Sequence, residues 1–575
     1  MLKIMKYLKK YWWQILLVVI FVAVQTYVDL TLPEFMSKIV DEGIVNSNTN
    51  RIIQIGIQML GLALIGGIAT IIVSFFSSRI AAATSRNIRK DVFEKVTNFS
   101  SAETNKFSKA SLITRTTNDV QHIQMTTFMI LRMMVMAPIM AIGGISKVLK
   151  NSPSLTWIIA IAVVVLFIII IVLFSLAMPK FKIFQKLIDK LNLVTRENLT
   201  GLKVIRAFNN EEHQEEKFDK ANTDLTKLNL FVNKVMILMQ PLTMLVMNLT
   251  MVAVIWIGSH QVDIGSLQIG DMMAFIQYAM QIMTSFMMLS MLFVMIPRTS
   301  ISANRIMEVL NTNPIITDPE SSKKSNNKLK GQVEFKNVSF TYPDADEAVL
   351  CDISFIAEKG KTTAFIGSTG SGKSTLINLI PRFYDVTSGS ILVGGIDVRD
   401  YLQKDLRDLI GYVPQKGVLF SGTIKSNLKY GNDKLSNEEM RKVSQVAQAL
   451  DFIEEKDKKF DTHISQGGKN VSGGQKQRLS IARALAKNPE IFIFDDSFSA
   501  LDFKTDKELR KELKKYTKDA TVLIVAQRIS TIMNADKIVV LDEGKIVGIG
   551  THKELVKTCD VYKEIALSQL REEEL

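Results

Sequence analysis

Six apolar stretches, each long enough to cross a bilayer, fill the first half of this 575-residue chain. A hydrocarbon core roughly 30 Å thick takes about 20 residues of helix. The stretches run Trp13–Leu32, Ile57–Phe76, Phe128–Val148, Leu155–Met178, Met236–Ile257 and Met272–Ile296. The fourth is almost unbroken aliphatic from Ile158 to Phe174, whereas the third and sixth are interrupted and rich in methionine. Lipid offers no partner to backbone N–H and C=O groups, so such segments must be helices. Apolar residues make up 47% of the chain and charged residues 22%. Both figures fit one chain only when the two kinds are segregated, as they are here.

The links between stretches alternate in length and charge. The third link is very short, and the fifth is short with Asp263 and Asp271 but no Lys or Arg. The second link carries Arg79, Arg86, Arg89, Lys90 and Lys95, and the fourth carries Lys180, Lys182, Lys186, Lys190 and Arg196. Basic links stay on the cytosolic side, so both long links and both ends of the membrane domain are expected there. The basic start, Met1–Lys10, reads as the lead-in to a retained first helix rather than a cleaved signal.

Apolar residues recur at three- and four-residue spacing through Arg86–Val96 and Phe184–Leu193. Spans two to five are therefore expected to run past the bilayer as helical legs. Turns at the leg tips are expected at Phe107–Val120 and Asn198–Phe208. Methionines crowd spans three, five and six, among them Met136, Met140, Met244, Met283 and Met288. Their unbranched, polarizable side chains suit a wall that repacks around varied apolar cargo. Phe286, Gln277, Gln281, Gln240 and Asn248 would add contacts from such a wall. Asp29 and Arg132 are expected near the membrane boundaries.

The net charge of +13 raises nucleic acid as a partner. The cations instead cluster beside apolar stretches, so none is expected. Cys351 and Cys559 form neither a disulfide framework nor a metal-ligand spacing.

A helical pattern continues to Leu310, and residues 311–330, rich in Asn, Ser, Pro and Lys, read as a flexible surface linker. From Gly331 to the C-terminus, short strand-like runs alternate with helices, predicting an α/β domain over 331–575. Val333–Phe335, Thr363–Ile366, Ile491–Phe494 and Val522–Val525 are its clearest strands. The strand at Thr363 leads into Gly367-Ser368-Thr369-Gly370-Ser371-Gly372-Lys373-Ser374-Thr375 and then a helical run. This is a phosphate-binding loop in its required strand–loop–helix setting. Glycines let backbone N–H groups wrap phosphates, the helix N-terminus adds positive charge, Lys373 reaches the β- and γ-phosphates and Ser374 can ligate Mg²⁺.

Asn470-Val471-Ser472-Gly473-Gly474-Gln475-Lys476-Gln477-Arg478, continuing through Ile481–Leu485, resembles the signature motif of ATP-binding cassettes, with Val471 where leucine is usual. The resemblance covers nearly the whole chain. It implies a half-transporter of exporter type: residues 1–310 as a six-helix membrane domain, fused to a cassette that binds ATP and Mg²⁺. It also implies roles for several residues. Tyr342 stacks on adenine. Gln415 senses Mg²⁺, and Asp495, ending the Walker B strand, holds it. Ser499–Asp502 crosses a dimer interface. Ser472, Gly473, Gly474 and Gln475 hold the γ-phosphate of a nucleotide bound by a second chain. The two leg tips resemble coupling-helix regions.

Two residues depart from the family pattern where chemistry occurs. Asp496 stands where glutamate usually acts as general base, and Gln527 stands where histidine usually bridges base and γ-phosphate. The shorter carboxylate misplaces the base, and an amide cannot carry imidazolium charge. Gln466 is a softer departure, where many exporters have glutamate. The pattern resembles the degenerate-site subunit of heterodimeric bacterial multidrug exporters. The expectation is therefore a plasma-membrane subunit that exports lipophilic or amphiphilic drugs with a second, homologous half-transporter. Hydrolysis would occur mainly at the partner's Walker site. A lipid or peptide exporter subunit, or a regulatory ATP-sensing subunit, is the alternative.

Overall fold

The computed structural model describes residues 4–151, 153–321, 323, 329–343 and 345–571. They form two compact units: 1–97 with 109–312, and 98–108 with 313–575.

The first unit is all helix. A 3₁₀ turn at Ile4–Tyr11 leads into α1, Trp12–Lys38, which a π-type turn extends to Ile44. Then come α2, Thr49–Thr97, and, beyond the excursion at 98–108, α4, Lys109–Thr116, and α5, Asn118–Met129. A π-type turn at Ile130–Met134 joins α5 to α6, Val135–Asn151. The long helices α7, Thr156–Ala207, α8, Glu211–Asp263, and α9, Ile269–Asn311, complete the unit. Among the described residues six helical segments are long and apolar enough to span a membrane, and each contains one expected stretch. At about 1.5 Å per residue, α2, α7 and α8 each exceed about 70 Å, more than twice a bilayer core. The helical legs are therefore present.

Large apolar side chains such as Ile57, Ile71, Ile171 and Trp256 are exposed along these helices. A water-facing surface would not tolerate that density of apolar side chains, but lipid does. Inside the unit, Leu155, Val254, Phe275, Tyr278 and Ile282 pack a core among α7, α8 and α9. Hydrogen bonds fasten α5 to α9. Ser302 Oγ donates to the buried Asp119 Oδ1 at 2.7 Å, and Thr126 and Thr299 hydroxyls share a bond of 2.6 Å. Arg115 pairs with Glu308 at 2.8 Å.

Three expectations need correction. The first leg reverses at 98–108, through the short helix α3, Ser101–Phe107, upstream of most of Phe107–Val120. The cause is a capping box. Glu103 Oε2 accepts from Ser100 N at 2.7 Å, and the Ser100 hydroxyl accepts from Ala102 N, which starts a new helix there. The second reversal lies at the very end of its expected segment, between Ala207 and Glu211. The 311–330 linker lies partly outside the described residues. Its described part is fastened rather than free: Ile316 is buried, Arg382 donates to the Thr317 carbonyl, and Asp318 Oδ1 accepts from Gln403 N.

The second unit is α/β. Its strands are β1, Val333–Phe340; β2, Leu350–Ala357; β3, Thr362–Gly367; β4, Ser388–Val393; β5, Ile396–Asp397; and β6, Ile410–Val413. They continue as β7, Gly422–Thr423; β8, His463–Ile464; β9, Ile491–Asp495; β10, Thr521–Val525; β11, Lys537–Asp542; and β12, Lys545–Gly550. One sheet has the order β12-β11-β3-β10-β9-β6, with β11, β3, β10, β9 and β6 parallel. Every residue of β9 and β10 is buried, as strands covered on both faces must be. A second, antiparallel sheet has the order β2-β1-β4-β5.

Candidate nucleotide site

Parallel strands deliver the loops at their C-terminal ends to one edge. Here β3 delivers Gly367–Lys373, β9 delivers Asp495 and Asp496, β10 delivers Gln527 and β6 delivers Gln415. The loop after β3 turns on glycines with positive φ: Gly367 at 158°, Gly370 at 91° and Gly372 at 90°. A Cβ at Gly367 would collide with the Leu541 carbonyl, and one at Gly372 would press on Leu350. The strand-to-helix reversal therefore needs glycine for both conformation and space.

Lys373 opens the following helix, Lys373–Leu379. Its Nζ donates to the Gly367 carbonyl at 2.9 Å, the Ser368 carbonyl at 2.6 Å and Ser371 Oγ at 3.2 Å. Burial lowers the Lys373 pKa against the pull of Asp496 and Asp495. Ser374 Oγ donates to Asp495 Oδ1 at 2.9 Å. A hydroxyl beside a carboxylate is a hard-oxygen set, and such a set fits Mg²⁺. Thr369 and Gly370 are exposed at the loop's crest, while Thr375 is buried.

Asp496 is the centre of the second half of the site. Its φ is +44°, in the left-handed region that aspartate enters more readily than most residues. Its backbone N–H donates to the Val525 carbonyl at 2.9 Å, pinning it to β10. Gln415 Nε2 and Gln527 Nε2 both donate to its Oδ2, at 3.3 Å and 3.1 Å. The two departures from the family pattern are thus bonded to each other. Burial raises the Asp496 pKa above the ordinary value despite these bonds, and burial likewise raises that of Asp495, to which Asp496 adds.

Tyr342 shares a hydrogen bond of 2.9 Å with the Thr375 hydroxyl. Its ring packs edge-on against Phe340 and Tyr384. Tyr384, which the sequence reading passed over, accepts a weak bond of 3.5 Å from Asn105 Nδ2 of α3. Glu103 of α3 is buried and its Oε1 accepts from Ile315 N at 2.9 Å. Glu103 was also missed, although the Ser100-x-x-Glu103 spacing signals a capping box.

The Ser472 stretch is not part of this cluster. Ser472 caps the helix Gly473–Ala486 and exchanges hydrogen bonds with Gln475, each 3.2 Å. Among the described residues no hydrogen bond joins Ser472, Gly473, Gly474 or Gln475 to Gly367–Thr375. The Gly473 and Gly474 N–H groups, at the helix start and outside this exchange, can face an anion from another source.

A membrane-spanning helical unit and a phosphate-loop α/β unit in one chain define an ATP-powered membrane transporter half. The comparisons agree. Residues 15–286 match the model of the ABC transporter transmembrane region, and 350–499 match that of the ABC transporter. An uncharacterized ABC transporter ATP-binding protein of Mycobacterium tuberculosis (strain CDC 1551 / Oshkosh) is 41% identical over 549 residues, 95% of this chain and 94% of that protein. The uncharacterized ABC transporter ATP-binding protein YfiB of Bacillus subtilis (strain 168) is 37% identical over 573 residues, 100% of this chain and 99% of its own. A bacterial Atm1-family ABC exporter, solved with ATP bound, superposes with a TM-score of 0.80 at 25% identity, covering 98% of this chain and 99% of that one. The chain belongs to the ABC transporter family, as an exporter half-transporter with one transmembrane and one ATP-binding domain. An ATP-binding domain of this family couples ATP hydrolysis to transport.

Proposed function

We propose that this chain is the slow-hydrolysing half of a heterodimeric plasma-membrane exporter of lipophilic or amphiphilic compounds, with its cassette in the cytosol. The observation that carries this reading is the bonding of Asp496 by Gln527 and Gln415 through one carboxylate oxygen. A general base must be placed within reach of the attacking water. Here the short side chain is held back by two amides, neither of which brings positive charge to a developing phosphate anion.

ATP binds on Gly367–Thr375, with Lys373 on its phosphates and Tyr342 beside the base. Ser374, Asp495 and Gln415 would hold Mg²⁺, which would neutralise phosphate charge. The signature residues Ser472, Gly473, Gly474 and Gln475 serve the partner chain's nucleotide, where intact glutamate and histidine give the fast site. Closure of the two cassettes is passed on through the reversals at 98–108 and 208–210. The first of these lies in the cassette unit and is continuous in sequence with α2. The ATP in the similar exporter structure supports the nucleotide. The methionine-rich helices support the cargo class.

The test is ATPase activity of the chain purified alone and with a second half-transporter encoded beside it. We expect slow turnover alone and fast turnover in the pair, insensitive to Asp496→Asn. Fast turnover by the isolated chain that Asp496→Asn abolishes would make it a competent homodimer instead.

A further inference from the structure

Asp29 lies within α1, three residues before the end of the apolar run Trp13–Leu32. About 24 Å of helix separates it from Trp13 at the start of the apolar run, and Leu30, Leu32 and Pro33 follow it. Four residues on, Pro33 has no N–H to give the Asp29 carbonyl. Gln281 of α9 fills that role, its Nε2 donating to the Asp29 carbonyl at 2.8 Å. Next to it, the Tyr278 hydroxyl donates to the Leu30 carbonyl at 3.1 Å. These bonds leave the Gln281 carbonyl oxygen, Oε1, buried and without a partner among the described residues. Gln25, one turn before Asp29 on α1, is 8% exposed and its Oε1 is also unpartnered.

An open cavity of about 270 Å³ lies on this side of the helices. Asp29, Leu32, Pro33, Met140, Gln277, Gln281, Thr284 and Met288 line it. Its wall thus combines one carboxylate, three uncharged polar side chains and two methionines. Among the described residues no Lys, Arg or His lies within ion-pair distance of Asp29. Lys147 and Lys38 are both paired with Glu34, at 2.6 Å and 3.6 Å. Arg132 sits about 12 Å of helix before Met140.

We propose that this cavity is a cargo subsite selective for lipophilic monocations, with Asp29 as the counter-charge. The proposal rests on the exporter reading above and narrows its cargo class. An unpaired carboxylate within a membrane-spanning helical unit is costly unless a cation approaches it. Methionine and leucine supply a deformable apolar surface around that cation. The Asp29 carboxylate makes the site attract positive charge and repel anions of the same shape.

The test uses two ions of nearly equal shape and opposite charge, tetraphenylphosphonium and tetraphenylborate. Binding to the full-length transporter, with its partner if it purifies with one, is measured in nanodiscs, with empty discs subtracted. ATPase stimulation is read in parallel. Wild type should prefer the phosphonium at least about tenfold. Asp29→Asn should lose that preference by weakening phosphonium binding alone, and Asp29→Glu should keep it. ATP binding serves as the check that each variant is folded. Unchanged phosphonium binding in Asp29→Asn would overturn the subsite, as would equal loss of both ions. Failure of wild type to bind either ion would overturn the lipophilic-cargo reading itself.

Discussion

Two carboxylates, the buried Asp496 in the cassette unit and the half-buried Asp29 in the membrane unit, are treated in opposite ways by their surroundings. At Asp496 two amide N–H groups close on the same oxygen, and the backbone is tied to a neighbouring strand. At Asp29 only the backbone carbonyl is cared for, by Gln281, and no cation pairs with the side chain among the described residues. A carboxylate with its donors in place is positioned and quieted. One without them is left to an external partner. The first arrangement suits a site that holds its substrate without hurrying, and the second suits a surface that waits for charge.

The largest test of this contrast separates holding from hydrolysis. Lys373→Ala should weaken ATP binding by about a hundredfold or more in a fluorescent-nucleotide titration, because the ammonium that organises the loop is lost. Asp496→Asn should leave the same titration within about twofold, since its bonds lie outside the phosphate loop. Equal losses would erase the division within the site.

Restoring the family residues comes next. Asp496→Glu with Gln527→His should raise basal ATPase of the assembled transporter about tenfold, by extending the base and supplying imidazole. No rise would mean that these two positions do not limit turnover.

Acid titration probes the cost of the buried pair. Burial raises both Asp495 and Asp496 above 3.8, so the folded cassette takes up protons before the unfolded chain as pH falls. The destabilisation from their charge is present at neutral pH, and it fades as pH drops through the raised values. Asp495→Asn should therefore raise the nucleotide-free melting temperature at neutral pH and flatten its dependence on acid. A fall at neutral pH would mean that the Ser374 bond outweighs desolvation.

The smallest effect concerns the reversal at 98–108. Ser100→Ala removes the cap of α3 and should cost about 1 kcal/mol in denaturant unfolding of the cassette unit. No change would show that the Glu103–Ile315 contact alone holds the turn.

Much of this was legible beforehand, for identifiable reasons. A membrane helix pairs its backbone locally and needs only length and apolarity, so all six spans could be read from composition. The phosphate loop is equally local: its glycines shape the backbone, and the Lys373 ammonium bonds to groups within the same nine residues. The reversal at 98–108 was also local, but its capping box was overlooked in favour of a looser likeness downstream. The linker misled because polarity signals exposure, whereas Asp318 and Thr317 use their polar groups to fasten the strap.

What the linear chain determined by itself was the inventory: six spans, a nucleotide loop, and two unusual residues at positions 496 and 527. Only the tertiary structure decided who meets whom. Asp496, Gln415 and Gln527 are far apart in sequence and converge because β6, β9 and β10 run parallel and end together. Asp29 became a cavity wall because Pro33 broke one hydrogen bond and a glutamine from α9 replaced it. The first outcome depends on strand pairing and the second on a side chain of one helix reaching the backbone of another, and contacts between distant segments leave no periodic trace in either of them.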